Sequence, residues 1–134
     1  MIKGSVNSLL EAVIRLTVRG PQGKRKRITA VIDTGYNGAL TLPPDVIASL
    51  GLPWVQSGTV TLGDGSECNC DIYAGAVVWD RHPVYVLIEE ADATPLVGMD
   101  LMRGFKLTMD IKVRGQVTIK SNWRGRHDSR GSRQ

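Results

Sequence analysis

Alternation of apolar and polar side chains is the dominant pattern in the chain, and it predicts β-strands. Ile14, Leu16 and Val18 alternate with polar residues, and a Gly-Pro-Gln-Gly turn at 20–23 separates them from a returning strand at 28–32. Successive side chains of a strand face opposite sides of a sheet, so each of these strands would bury one face. Further strands are predicted around 59–62, 72–79, 84–88, 107–111 and 117–119.

Helical periodicity is confined to two short segments. Residues 44–51 predict a helix, because proline begins the segment, its apolar side chains share one face, and glycine ends it. Residues 99–103 predict a second, shorter helix. Residues 57–80 predict a hairpin that turns at Asp64 and Gly65, a favoured turn pair. Many short strands with one or two short helices indicate a mostly β, mostly antiparallel barrel or sandwich.

Length and charge indicate one domain followed by a basic tail. The chain has 134 residues, of which 42% are hydrophobic and 22% charged, as is ordinary for a single globular domain. The net charge is +4, and residues 121–134 supply +3 of it. We therefore expect a domain over residues 1–120 and a disordered tail over 121–134. The nearly neutral body argues against nucleic-acid binding as its main function, and leaves weak contact through the tail.

Membrane and metal sites are not expected. No apolar run approaches the roughly 20 residues that span a bilayer, and no signal-peptide cleavage pattern is present. We therefore expect a cytoplasmic protein without membrane contact. Cys68 and Cys70 would need two further ligands to hold a metal, and the only histidines are His82 and His127. We expect ordinary thiols there, and neither a metal nor a cofactor.

Candidate chemistry is concentrated where an apolar strand ends in a carboxylate. Asp33 directly follows the strand, and Gly35 completes an Asp-Thr-Gly turn. Asp and Gly are common in turns for structural reasons alone, so this turn by itself is a weak signal. A second apolar segment ending in glycine, residues 95–98, follows the glycine-containing hairpin. The three features in this order are far more specific than the turn alone.

These features resemble the retropepsin-like aspartic proteases of clan AA, specifically the single-domain bacterial aspartyl proteases. The matching segments are VIDTGYNGALTLPPDVIASLGL, VTLGDGSE and PLVGMDLMRGFKLTMDI, and the likeness extends over residues 10–120. The resemblance implies a small, closed, barrel-like acid-protease fold with a ψ-loop crossing and a β-hairpin flap. It also implies an endopeptidase that acts on peptides or proteins.

The site residues implied by the resemblance lie in three groups. Asp33 would be the catalytic carboxylate, Thr34 would brace the paired loops across a dimer axis, and Gly35 would let substrate backbone lie close. The flap tip is implied at Gly63, Asp64 and Gly65. The second strand of the ψ-shaped crossing is implied at Leu96, Val97 and Gly98.

Such an enzyme uses two carboxylates that share one proton. The ionised carboxylate takes a proton from water, and the protonated one donates to the substrate carbonyl. Two neighbouring like charges do not readily ionise together, so activity should have a bell-shaped pH profile. The chain has one Asp-Thr-Gly sequence, so the resemblance implies a C2 homodimer that places Asp33 opposite its copy.

Some positions depart from the retroviral pattern and leave alternatives open. Tyr36 follows Asp-Thr-Gly where a small residue is usual, and we do not expect its hydroxyl to bond the carboxylate. Asn37 and Met99 replace an Asp and an Arg that pair in retroviral enzymes, so one polar support of the dimer is absent. One alternative is a catalytically silent interaction module with the same dimer and cleft. Another is a nucleic-acid-associated protein that uses its tail. The intact Asp-Thr-Gly favours the protease.

Overall fold

A computed structural model describes residues 1–61 and 64–122. This part of the chain contains one α-helix and ten β-strands, with a single 3-10 turn at Pro21–Gly23 between the second and third strands. None of its helices is both long and apolar enough to cross a membrane. The elements are β1 (Ile2–Val6), β2 (Ala12–Arg19), β3 (Arg25–Ile32), β4 (Leu40–Leu42), α1 (Pro44–Leu50), β5 (Trp54–Thr61), β6 (Glu67–Trp79), β7 (His82–Glu90), β8 (Leu96–Val97), β9 (Phe105–Met109) and β10 (Gln116–Ser121).

The sheet closes into a ring, which confirms the predicted barrel-like fold. Its strands follow the order β6-β7-β4-β8-β3-β2, and Thr17–Arg19 of β2 pair back onto β6. β5 lies outside the ring on β6, and β1, β10 and β9 continue outward from β2. Two pairs are parallel, β3 with β8 and β4 with β7. The other pairs are antiparallel, as expected for a mostly antiparallel fold.

The core is filled by the apolar face of each strand. In β2 the side chains of Ala12, Ile14, Leu16 and Val18 are buried while their neighbours are not, so the predicted alternation is confirmed. Burial of such side chains stabilises a strand by roughly 1.5–3 kcal/mol for each Val, Leu or Ile. The buried side chains form one continuous apolar core, to which the strands of the ring, the inner face of α1, and β1 and β10 contribute.

Helix α1 begins and ends where the sequence predicts. Proline lies in its first turn, and Val46, Ile47 and Leu50 are its buried residues. Gly51 follows with a φ of 64°, in the left-handed region that glycine adopts without steric cost. Its amide donates to the carbonyl of Ala48 and so closes the last turn.

The second predicted helix is wrong, because residues 99–103 form turns. The amides of Met99 and Asp100 donate to the carbonyls of Tyr36 (2.8 Å) and Gly38 (3.1 Å). Within the segment, the amides of Arg103 and Phe105 donate to carbonyls three residues earlier, so turns form here in place of an α-helix. A helix this short also lacks the length that stabilises helices.

Two further differences concern the ends of the chain. β1 was not predicted, because its alternation is short and interrupted by Gly4, yet it pairs with both β2 and β10. β10 includes Ser121, which pairs with Phe105 one residue beyond the predicted domain boundary. Residues 123–134 of the predicted tail lie outside the described residues.

Candidate active site

Asp33 lies at the end of β3, where the chain leaves the sheet. Its backbone amide donates to the carbonyl of Val97 at 2.9 Å, which extends the parallel pairing of β3 with β8 by one residue. Its side-chain Oδ1 accepts a hydrogen bond of 2.9 Å from the amide of Gly35. Asp33 is half-buried, and it is oriented by the Val97 carbonyl through its backbone and by the Gly35 amide through its side chain.

β8 holds the Asp33 turn from the side. It lies between β3 and β4. Leu96 pairs with Val31 of the parallel strand β3, and Val97 pairs with Leu40 of the antiparallel strand β4. Thr41 is the one buried polar residue of the described chain, 7% exposed, and its Oγ1 accepts from the amide of Leu96 at 2.9 Å. The amide of Leu96 in β8 therefore donates to a buried hydroxyl and not to the carbonyl of a neighbouring strand.

Gly98 allows the segment that follows β8 to lie close to the loop that contains Tyr36 and Gly38. Its amide donates to Ala39, and a Cβ built on Gly98 would lie 2.2 Å from the carbonyl oxygen of Gly38 and 2.5 Å from Cδ2 of Tyr36. No side chain fits in that space. The structure thus brings Leu96, Val97 and Gly98 against the Asp33 turn.

Tyr36 fills the space that the glycines leave. Its side chain reaches across Gly38, where a Cβ would lie within 3 Å of the Tyr36 hydroxyl oxygen and two ring carbons, and its hydroxyl donates to Oε1 of Glu89. Burial raises the pKa of Tyr36 above its ordinary 10.0, and the neighbouring Glu89 carboxylate raises it further. As expected, this hydroxyl is engaged away from Asp33.

Glu89 was not identified from the sequence. It lies in β7, opposite Ile72 of β6 and Thr41 of β4. It is followed by Glu90, whose carboxylate accepts from the hydroxyl of Tyr73 at 3.3 Å. Two adjacent carboxylates at the end of a strand were the available signal, but tyrosine partners distant in sequence cannot be inferred from it.

A cavity of about 380 Å³ opens beside the Asp33 turn. It lies between that turn and the paired strands β6 and β7. Its lining includes Tyr36, Gly38, Ile72, Tyr85, Glu89 and Asp100. Its volume falls within the roughly 300–1,000 Å³ of small-ligand sites.

The remaining predicted site residues that the structure describes lie on its surface. Thr34 and Gly35 are exposed on the surface of the single chain. Asp64 and Gly65 are exposed at the tip between β5 and β6, and Gly63 lies outside the described residues. Hydrogen bonds from Ser66 lower the pKa of Asp64, and they lie within that same turn. The structure therefore gathers Asp33, Thr34, Gly35 and residues 96–98, while Asp64 and Gly65 belong to a separate hairpin.

Metal-binding clusters are absent from the part of the chain that the structure describes, where no three His, Cys, Asp or Glu side chains come together. Cys68 and Cys70 are free thiols on β6. Burial raises the pKa of Cys70, and the negative charge of Glu89 raises it further. The Cys70 thiol is therefore disfavoured as a thiolate, the form that binds metal.

One solved structure provides the comparison that decides the fold. It is the crystal structure of a retropepsin-like aspartic protease from Rickettsia conorii, which matches 91% of this chain and 91% of its own with a TM-score of 0.58. The fold is retropepsin-like. Sequence identity over the match is 15%, so the likeness concerns the fold alone. A scan against protein-family models gave no match. A search of curated protein sequences gave none either.

Proposed function

We propose that this retropepsin-like chain is an aspartic endopeptidase, active as a C2 homodimer. The observation that carries the proposal is the placement of Asp33. It ends β3 in an Asp-Thr-Gly turn, its backbone bonded to Val97 and its carboxylate to the Gly35 amide. A half-buried carboxylate held this way is pre-oriented for chemistry. One chain supplies one such group, so a second copy must supply the other.

The reaction follows from two such carboxylates with one proton between them. The ionised carboxylate takes a proton from a water molecule whose oxygen attacks the peptide carbonyl carbon. The protonated carboxylate donates its proton to the carbonyl oxygen, which gives a tetrahedral diol. Proton transfer from the diol to the peptide nitrogen then accompanies cleavage of the carbon–nitrogen bond. Both products leave, and the pair of carboxylates again shares one proton.

The other site residues have roles consistent with this proposal. Thr34 and Gly35 are exposed beside Asp33, where a second copy and a substrate backbone would approach. Asp64 and Gly65 form an exposed hairpin tip that would close over substrate as a flap. A cytoplasmic location, and weak nucleic-acid contact through residues 121–134, stay predictions.

The test compares Asp33→Asn with wild type on a random peptide library, with Asp92→Asn as the matched control. Asp92 is exposed in the loop before β8, so its substitution makes the same chemical change away from the site. We expect cleavage by wild type and Asp92→Asn, and none by Asp33→Asn, with all three folded and dimeric. Equal cleavage by wild type and Asp33→Asn would reject the proposal. A folded wild-type dimer that cleaves nothing would favour the silent interaction module.

A further inference from the structure

The cavity beside Asp33 is continuous with the proposed catalytic turn. Tyr36 lines the cavity, and its backbone amide donates to the carbonyl of Asp33 at 3.1 Å. The same turn that presents the carboxylate therefore forms one wall of the cavity. A substrate bound at Asp33 would place a neighbouring side chain here, so the chemistry of this cavity would select that side chain.

The polar side chains nearest the Asp33 turn, Tyr36 and Glu89, present acceptors to the cavity. The hydroxyl hydrogen of Tyr36 is directed to Glu89, which leaves the tyrosine oxygen with lone pairs only. A carboxylate has about four acceptor positions, and Tyr36 occupies one of those on Glu89. An apolar side chain would leave these acceptors unpaired, an acidic one would be repelled, and a neutral polar one would pair with them without neutralising the charge of Glu89. A Lys or Arg side chain carries only donors, and would pair with them.

The charge of the cavity, like its acceptors, favours a cationic side chain. Asp100 also lines the cavity, but its carboxylate is paired at 2.8 Å with Arg103, which is not among the lining residues. Glu89 forms no ion pair within the described residues. Although the chain carries a net charge of +4, no Lys or Arg among the residues that the structure describes lines this cavity. An unpaired carboxylate in a partly enclosed site favours a cation.

The apolar walls fit the remainder of such a side chain. Ile72 is buried at the base of the cavity, and Tyr85, 84% exposed, lies at its edge. Lys and Arg place an aliphatic stem on apolar surface while the charged end reaches a polar partner. A tyrosine face also attracts a guanidinium or ammonium group.

We propose that Glu89 is a specificity-determining residue, and that the cavity it lines binds a Lys or Arg side chain of the substrate next to the scissile bond. This inference rests on the proposed function for its reaction. It adds the substrate class, which is peptides with a basic residue at one fixed position. Tyr36 orients the Glu89 carboxylate and is a positioning residue in this scheme.

The experiment profiles cleavage of a peptide library that contains Lys, Arg and uncharged norleucine at every position. For wild type, we expect kcat/KM at one position to be at least about tenfold higher with Lys or Arg than with norleucine, as one charge-assisted hydrogen bond would give. Glu89→Gln should reduce this ratio to near one while norleucine peptides are still cleaved. Glu90→Gln is the matched control, because it changes the adjacent carboxylate, which is bonded to Tyr73, and should keep the preference.

A binding measurement separates this inference from the proposed function. The Asp33→Asn variant captures peptides from the same library, and captured peptides are sequenced. Enrichment of Lys or Arg at one position, lost when Glu89→Gln is added, supports the inference even if wild type cleaves nothing. Asp33-dependent cleavage without a basic preference overturns the inference alone. Capture without enrichment, or no capture at all, overturns it as well.

Discussion

The backbone amide of Asp33 donates a hydrogen bond of 2.9 Å to the carbonyl oxygen of Val97, and so joins two segments distant in sequence. This bond extends the pairing of β3 with β8 beyond the last paired strand residues. The residue that bears the carboxylate is thereby held at the end of the sheet by a strand hydrogen bond, and not by a free loop. Sites built on strands are held more precisely than sites on loops, which is what a shared-proton pair requires.

The first prediction concerns Gly98, whose backbone touches the neighbouring loop. Gly98→Ala should lower the free energy of unfolding by about 3 kcal/mol, the upper end of the usual cost of overpacking, because the new methyl would overlap the Gly38 carbonyl and force the loops apart. Gly104→Ala is the control, since a Cβ there meets nothing within 4 Å and adds only the strain of a φ of 83°, about 1–2 kcal/mol. Urea unfolding measures both. Equal losses for the two variants would contradict the proposed overlap.

The second prediction concerns the hydroxyl of Thr41. Thr41→Val keeps the shape of the side chain but leaves the amide of Leu96 without its acceptor, so stability should fall by about 1–3 kcal/mol. Thr41→Ser keeps the acceptor and removes a methyl group, which should cost about 1 kcal/mol. Thermal or urea unfolding compares them. A serine variant less stable than the valine variant would show that packing, and not the hydrogen bond, is the important contribution at Thr41.

Much of the fold could be predicted from local sequence patterns. The alternation in β2 and the glycine that ends α1 report burial and backbone conformation within a few residues. The turns at 99–103 were mistaken for a helix because their amides bond a loop that precedes them by some 60 residues. Such a contact depends on tertiary structure, and local propensity carries no information about it.

The candidate site shows the same division. Asp33 could be proposed as the catalytic carboxylate because the Asp-Thr-Gly turn and the two features that follow it form a pattern that is visible in the sequence. The bond between Tyr36 and Glu89 joins residues that β4, β6 and β7 bring together, and the local sequence of either residue does not indicate the other as its partner. The role of Glu89 in the cavity next to Asp33 could therefore be inferred only from the structure.

The third prediction concerns the requirement for two copies. Activity per chain should fall as the protein is diluted below the dissociation constant of the dimer, because each chain supplies one Asp33. Sedimentation measures the fraction of dimer, and turnover of one peptide is followed over the same concentrations. Mixing wild type with excess Asp33→Asn should suppress activity by forming mixed dimers. Constant activity per chain at concentrations where only monomer sediments would contradict the shared site.

The last prediction concerns alkaline pH and the hydroxyl of Tyr36. Burial and the Glu89 carboxylate raise the pKa of Tyr36 above its ordinary 10.0 in the folded chain, whereas the unfolded chain ionises near that value. The folded state therefore holds a proton that the unfolded state releases. This contribution to stability is fully present below pH 10 and is lost as the pH rises toward the folded pKa.

Tyr36→Phe keeps the ring on Gly38 but has no proton to lose. Below pH 9 this variant should be less stable than wild type by about 1–3 kcal/mol, because the half-buried hydrogen bond to Glu89 is removed. Above pH 10 the difference should shrink by up to about 1.4 kcal/mol for each pH unit. Urea unfolding between pH 8 and about pH 11 measures it, with Tyr85→Phe, whose side chain is 84% exposed, as the control that keeps the wild-type slope. A Tyr36→Phe deficit that stays constant over this range would mean that Tyr36 ionises equally in the folded and unfolded chain.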